Sequence, residues 1–503
     1  MRLENLPNSS RWYPGAGLYR NVWLVKTAPV HVGQWGTYLT TPEVTKESAP
    51  IDLKVTVDND SGQEAKVSVA SQIYEIHAQD KRSGKAVAAI PAMELRVAGG
   101  KSSTVETKGT VANPKLWGVP PTQKPNRYVA VTTVTKGGAV VDSYETLFGI
   151  RTLRFDPNAG FILNGEHVKI NGVCDHHDLG ALGAAVNTRA LQRQFEILAE
   201  MGCNGIRTSH NAPAPELLEL ADKMGFLVMD EAFDQWERQK TPLDNHLFFR
   251  DWHEQDMRAQ LRRDRNHPSV VMWSIGNEVG EQTTRAAGAA SARELTSICH
   301  EEDPTRPTIS AMNSASANSP FPAAIDAAGL NYQGAGLMGR NPQFPVFHRQ
   351  YPDKFMVGSE TVDAYSSRGY YTFPVVGNAG APAGATAGSE RGTRQASSYD
   401  LYHASWSYPP DTEFAAQEWY AFMRLWVGNL CGRDLIILAS LARLTRRVRR
   451  IVECLTWPVS RRTGFICIKR IGGRGWRWRT FCRTGRGRSA QPIRRRIHRR
   501  QRR

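Results

Sequence analysis

Two apolar stretches of this chain each stop on a carboxylate. "SVVMWSIGNE" runs from Ser269 to Glu278, and "KFMVGSE" from Lys354 to Glu360. A strand that ends on an acid after a small-residue step delivers that acid to a fixed point. Two such acids facing one another across a polar cleft are the minimal equipment for glycoside hydrolysis. One protonates the leaving oxygen. The other attacks the anomeric carbon, with retention of configuration, or activates a water, with inversion. A gap of about 5–5.5 Å between the carboxyl groups gives retention and a wider one gives inversion. The sequence does not measure that gap.

Other chemistry-bearing residues cluster at the ends of similar apolar stretches. They are Asp175, His176 and His177, then Arg207, Ser209, His210 and Asn211. Asp230 and Glu231 follow, then Asn277 beside Glu278, Asn331 with Tyr332, and Ser359 beside Glu360. Buried carboxylates cost several kcal/mol unless they are paired or used. Asp230 and Glu231 read as structural ion-pair partners, with Asp230 a candidate partner for Arg207. His176, Arg207, His210, Asn211, Asn277 and Tyr332 are the candidates for contact with substrate. Trp273, inside its strand, reads as core.

These residues need a frame that brings strand ends together. From residue 151, short apolar runs alternate with helical periods. "HVKINGV" precedes "TRALQRQFEILAEMG", in which Leu191, Phe195, Leu198 and Met201 recur at helical spacing. "CNGIRTS" precedes "APELLELADKMG", and "FLVMDEA" precedes a helix within 246–265. Seven strands over about 210 residues, with the eighth expected next, favour a (β/α)8 barrel, whose active site lies at the C-terminal strand ends. An open doubly wound sheet is the alternative, but "NGVCDHHD" is not its phosphate loop. Ahead of it, "IDLKVTVDND", "AKVSVASQIY", "AMELRVAG", "RYVAVTTVTK" and "AVVDSYETLFG" alternate apolar with polar residues, as in an immunoglobulin-like β-sandwich.

The net charge of +16 suggests nucleic acid or an anionic membrane. Its location argues otherwise. Residues 424–503 carry +22, so residues 1–423 carry −6. Cys174, Cys203 and Cys299 lie in the body, and Cys431, Cys454, Cys467 and Cys482 in the basic tail. Neither set has the spacing of a zinc site or a disulfide framework. No apolar run approaches the length of a membrane helix.

The motifs together resemble glycoside hydrolase family 2, most closely its bacterial β-galactosidases. "GVCDHHDLGALG", "IRTSHNAPAPELLELADKMGFLVMDEAFDQW", "DRNHPSVVMWSIGNE" and "FMVGSET" are similar to its barrel motifs. "SSRWYPGAGLYRNVWL" looks like the end of its sugar-binding-type N-terminal domain. The resemblance implies a retaining mechanism. Glu278 then matches the general acid/base, Glu360 the nucleophile, and Asn277 the residue that bonds the sugar 2-hydroxyl. His176, Arg207, His210 and Tyr332 fall where the family lines its sugar pocket or supports its carboxylates. It implies a β-galactoside or related glycan as partner, not nucleic acid or membrane. β-Glucuronidase, β-mannosidase and a catalytically dead carbohydrate-binding protein are the alternatives. The only Asn-x-Lys, at 113–115, lies outside the barrel region. The acidic-then-His metal pattern is absent from "DEAFDQWE", so no cofactor or metal is expected. Similar proteins imply a periplasmic or secreted setting.

The expected domains are a remnant of the N-terminal domain at 1–36, the sandwich at 37–150, an incomplete catalytic barrel at 151–423, and a basic tail at 424–503. The resemblance stops at "EWYAFM", Glu418–Met423. The following Arg-rich run reads as the product of a shifted reading frame. In the neighbouring frame, "VGNLCGRDLIILAS" can spell "GEFVWTGFDYLGE", and "LTWPVSRRTGFICIK" can spell "DLAGFPKDRFYLYQ". A frame shift destroys hydrophobic patterning. The expectation is therefore a disordered tail, a barrel lacking its eighth strand, and a chain of low stability and weak or no activity.

Overall fold

In the computed structural model, the described residues are 6, 9–10, 18–333 and 343–360, with gaps at 78–79, 178 and 180–181, and three backbone strands within 426–481. The N-terminal body is a sandwich of seven antiparallel strands. They are β1 (Val30–Thr40), β2 (Ser48–Asn59), β3 (Ala65–Ile76), β4 (Ala88–Val97), β5 (Lys101–Ala112), β6 (Arg127–Lys136) and β7 (Ala139–Phe148). One sheet has the order β1-β2-β5, and the other β4-β3-β6-β7. Alternation sets the inner faces. Ile51, Leu53, Val55 and Val57 of β2 are fully buried against residues such as Val67, Val69 and Ile73 of β3. Each such side chain contributes about 1.5–3 kcal/mol on burial.

The sequence patterning marks β2, β3, β4, β6 and β7 but not β1 and β5. β5 turns few apolar residues inward, chiefly Val105 and Val111, and its other face is polar and exposed. β1 crosses the expected boundary at residue 36 because its pairing with β2 starts at Val30. A register shift between Val32 and Thr37 bends it, and Trp35 there has a φ of 51°.

The second body is a barrel of parallel strands: β11 (Ile170–Asp175), β12 (Gly205–Thr208), β13 (Leu227–Glu231), β14 (Val270–Asn277), β15 (Thr308–Met312), β16 (Ala327–Asn331) and β17 (Met356–Glu360). Around it lie α1 (Thr188–Glu200), α2 (Pro215–Met224), α3 (His246–Asp264), α4 (Ala286–Glu302) and α5 (Phe344–Gln350). Asn187 caps α1 by accepting the Ala190 N–H at 2.9 Å, and Leu191, Phe195 and Leu198 form its buried face. Pro215 starts α2, and Gly225 ends it with φ of 77°. A Cβ on Gly225 would lie 2.5 Å from Pro120 Cδ, so helix end and sandwich linker meet there. Beneath the barrel, β8 (Leu153–Asp156), β9 (Gly160–Leu163) and β10 (Glu166–His167) form a small sheet. Its Phe155 stacks between Phe161 and Phe355, and Phe161 and Leu163 join the core of the lower barrel.

The sandwich docks on the barrel through polar contacts. Tyr38 donates to Asp303 at 2.8 Å, and Asn266 bonds both the Leu39 N–H and the Thr37 carbonyl at 2.9 Å. Asp303 also accepts from Trp273 at 3.0 Å. Trp273 is fully buried, as its place inside β14 suggests.

The eighth position of the barrel differs from expectation. β18 (Trp426–Cys431) pairs in parallel with both β17 and β11, so the backbone closes. The expected gap is occupied because a ladder needs only backbone donors and acceptors, not an apolar pattern. The seam is thin on one side. β17 and β18 share only two register pairs, Met356↔Trp426 and Gly358↔Asn429, with an irregularity between them. Within the tail expected to be disordered, β19 (Phe465–Arg470) and β20 (Trp476–Phe481) pair antiparallel. The remainder of that tail lies outside the described residues, as does most of the "SSRWYPG" stretch.

Candidate active site

The upper ends of the barrel strands meet in one polar cluster. β14 carries Asn277 to its end, and Glu278 follows with φ of 44°. A register irregularity between Ser274 and Asn277 lets both residues join the cluster. β17 ends on Glu360, which is 5% exposed. Between the two acids stands Asn331, at the end of β16 and fully buried. Its Nδ2 donates to Glu278 Oε1 at 3.0 Å and to Glu360 Oε2 at 2.8 Å. Two bonds on one nitrogen hold those oxygens within about 6 Å, near the close spacing of retaining pairs. Ser359 Oγ donates to Asn331 Oδ1 at 2.6 Å and fixes the amide orientation.

Below the acids lies a buried charge network. Arg207 is fully buried at the end of β12. Its Nε and Nη2 donate to Glu231 at 2.7–3.0 Å, and Nη2 also reaches Asn277 Oδ1 at 2.8 Å. Its Nη1 points to the Ser359 carbonyl at 3.3 Å and lies 3.7 Å from Glu360 Oε1. Burial works against the charge of Arg207, but Glu231 and Glu360 outweigh it and raise its pKa. Burial likewise pushes Glu231 above the ordinary carboxylate range, against the pull of Arg207 and Ser274. The Cys174 thiol, pushed up by burial, donates to the Ser359 carbonyl at 3.2 Å and accepts from Arg207 at 3.4 Å.

His210 joins the same network. Its Nδ1 is 2.8 Å from Glu231 Oε1, and its Nε2 is 3.7 Å from Glu360 Oε1. His176 stands edge-on to it, with ring centroids 5.1 Å apart. Tyr332 is buried, and its backbone N–H donates to the Glu360 carbonyl at 2.7 Å. Asn211 lies at the rim, bonded to His177. Burial and the Arg20 cation hold His177 down to about 4, so it is neutral near pH 7.

The structure thus brings Glu278, Glu360, Asn277, Arg207, His210, His176 and Tyr332 together, with Asn211 at the edge. One pairing is corrected. Arg207 bonds Glu231, not Asp230, because alternation along β13 sends the two acids to opposite faces. Asp230 instead accepts from Gln260 of α3 at 2.8 Å. Three contributors went unassigned in the sequence. Asn331 stands at a strand end in the sequence, where residue type alone does not mark it as the bridge between the two acids. Asp234 and Lys240 lie on the loop after β13, where no periodicity marks them. Asp234 accepts from Asn277 Nδ2 at 2.9 Å and from Lys240 at 2.8 Å, and Lys240 also bonds the Asn277 carbonyl at 2.7 Å. A cleft of about 470 Å³ opens beside the cluster, lined by His210, Asn211, Asp234, Tyr19, Arg20 and Trp35 among others. Among the described residues, no group of three or more His, Cys, Asp or Glu is placed to hold a metal ion. No described helix is long and apolar enough to cross a membrane.

Comparison with known proteins agrees with this geometry. The profile described as "Glycosyl hydrolases family 2" matches residues 30–151, and "Glycosyl hydrolases family 2, TIM barrel domain" matches residues 157–325. The chain is 42% identical over 412 residues to "Beta-galactosidase BoGH2A" of Bacteroides ovatus, covering 74% of this chain and 46% of that protein. It is 31% identical over 374 residues to a "Putative beta-glucuronidase" of Formosa agariphila, covering 74% and 32%. A solved structure of a glycosyl hydrolase family 2 member from Bacteroides cellulosilyticus aligns with a TM-score of 0.68 at 29% identity, covering 84% of this chain and 46% of that one. The chain spans about half the length of BoGH2A and less of the other curated relative. With a matched sandwich, a matched barrel and a pair of strand-end acids bridged by one side chain, the chain belongs to glycoside hydrolase family 2.

Proposed function

We propose that the site hydrolyses terminal β-galactosides with retention, through a glycosyl-enzyme. The single observation that carries this is the short gap between Glu278 and Glu360 across Asn331. Their surroundings divide the roles. Glu360 Oε1 has the Arg207 cation at 3.7 Å, which favours its anionic form. Among the described residues, no cation pairs with the side chain of Glu278, which is also the more exposed of the two. Glu360 is therefore the nucleophile and Glu278 the acid/base.

In the first step a Glu360 oxygen bonds to C1 while the C1–O bond to the aglycone breaks. Glu278 gives its proton to the departing oxygen. In the second, Glu278 takes a proton from water, the water oxygen bonds to C1, and Glu360 leaves as carboxylate. Asn277, held through its side chain by Arg207 and Asp234, is placed to bond the sugar 2-hydroxyl. His176, His210, Asn211 and Tyr332 line the sugar pocket.

Galactoside is favoured over glucuronide by the higher identity to a protein named β-galactosidase, 42% against 31%. The thin seam at β18 favours low activity in this chain. The test is a panel of aryl β-galactoside, β-glucuronide and β-mannoside, with Glu360→Gln as control. Hydrolysis of the galactoside first, lost in Glu360→Gln, is the expected result. A preference for the glucuronide, or sugar binding without turnover, contradicts it.

A further inference from the structure

The geometry points to Glu231 as a positioning residue for this reaction, a buried tether that holds Arg207 and His210 back from Glu360. The inference rests on the assignment of Glu360 as nucleophile. Glu231 is fully buried, yet four donor groups converge on its two oxygens. They are Arg207 Nε and Nη2 from β12, His210 Nδ1 from the loop beyond it, and Ser274 Oγ from β14 at 2.6 Å. Its backbone N–H donates to Thr208 Oγ1 at 2.8 Å, which fixes it from the side of β12. Asp234, from the loop after β13, also acts on it, and Glu360 faces the same Arg207 and His210.

This arrangement decides where two other side chains aim. A fork-to-carboxylate pair sets the plane of the Arg207 guanidinium. With Nε and Nη2 committed to Glu231, only Nη1 is left toward Glu360, and it stays at 3.7 Å. A carboxylate only accepts, so His210 carries its proton on Nδ1 and turns Nε2 to Glu360, also at 3.7 Å. Glu360 is thereby held beside the Arg207 cation at 3.7 Å rather than in a close two-pronged pair with it. A carboxylate locked in a direct bidentate pair is stabilised as an anion and so is a weaker nucleophile. Glu231 takes up the short contacts from Arg207 and His210 and leaves Glu360 the longer ones from the same two side chains.

Removing the charge of Glu231 has a definite sign. Arg207 and His210 are freed to close on Glu360, and a like charge near Glu360 is lost. Both changes lower the pKa of Glu360 and slow its attack.

The experiment uses the full chain and 2-deoxy-2-fluoro-β-glycosyl fluorides of galacto and glucurono configuration. A Glu360 oxygen bonds to C1 as fluoride departs with the bonding electron pair, and intact mass reads the adduct. Labelling rate is measured against pH for the unsubstituted chain, Glu231→Gln and Glu231→Asp, with thermal melts alongside. The expected result is labelling on Glu360 that slows on the order of tenfold or more in Glu231→Gln. Its acid-side midpoint moves to lower pH, and Glu231→Asp recovers most of the rate and the original midpoint. A Glu231→Gln chain that melts earlier but labels with unchanged rate and midpoint overturns the inference. If Glu231→Gln does not fold, Glu231→Asp decides. Recovery near the original rate supports the tether, and a tenfold loss with the original midpoint overturns it. Labelling of the unsubstituted chain on a residue other than Glu360, with either sugar, overturns the nucleophile assignment itself.

Discussion

Glu278 and Glu360 come from strands three apart in the barrel, yet one amide nitrogen of Asn331 reaches both, at 3.0 and 2.8 Å. That bridge makes the spacing of the two acids a property of β16 as much as of β14 and β17.

Replacing Asn331 with Asp places a third carboxylate between the two acids. The added negative charge raises the pKa of Glu360, so the nucleophile ionises at higher pH. The acid limb of the kcat/KM profile for an aryl galactoside is expected to move upward in pH. An unmoved limb contradicts the shared bridge.

The two acids themselves differ in what their loss does. Glu278→Gln is expected to lower kcat/KM by about 10²–10⁴ for a poor leaving group. The loss is smaller for an activated aryl group that departs without protonation. Glu360→Gln is expected to abolish turnover on both. Equal loss for both leaving groups in Glu278→Gln, measured by steady-state kinetics, contradicts the acid role.

Arg207→Met leaves Glu231 buried without its ion-pair partner. Breaking such a pair costs about 3–5 kcal/mol. Urea unfolding followed by circular dichroism is expected to show a loss of that size, because the pair is wholly shielded from solvent.

Asp230 lies on the outer face of β13, where it accepts from Gln260 and meets the Asp264 carboxyl. Burial and the neighbouring Asp264 raise its pKa well above the ordinary value. A carboxyl whose folded pKa is raised favours the folded state most below its unfolded value of about 3.9. That contribution is lost as pH rises through the folded pKa. Asp230→Asn removes the titration, so the substitution is expected to stabilise the chain at neutral pH on the order of 1 kcal/mol. The gain shrinks as pH falls toward 4. Thermal melts at several pH values check the sign.

Much of this architecture was legible because the signals lie in strand periodicity and strand ends. The acids of "IGNE" and "VGSE" close two apolar strands, and the structure places both in the same cluster. β5 of the sandwich escaped because its outer face is polar and only a few residues turn inward. Arg207 and Glu231 were both visible, but their pairing depends on which face of β13 each acid takes. Asp234 and Lys240 sit on a loop, where contact across the barrel mouth rather than local pattern selects them. β18 was not legible because its place is set by pairing with β11 and β17, which no local pattern in the sequence reports.

That strand yields a further prediction. A chain ending at residue 425 lacks β18 and leaves the edges of β17 and β11 unpaired. It is expected to melt lower, by at least about 2–4 °C, and to associate more readily by light scattering. An unchanged melt would mean that β18 adds nothing to closure.

The most direct test of the account is the configuration of the first sugar released from an aryl β-galactoside, followed by proton NMR before mutarotation. A pair of acids bridged by Asn331 predicts the β-anomer first. Release of the α-anomer first contradicts it.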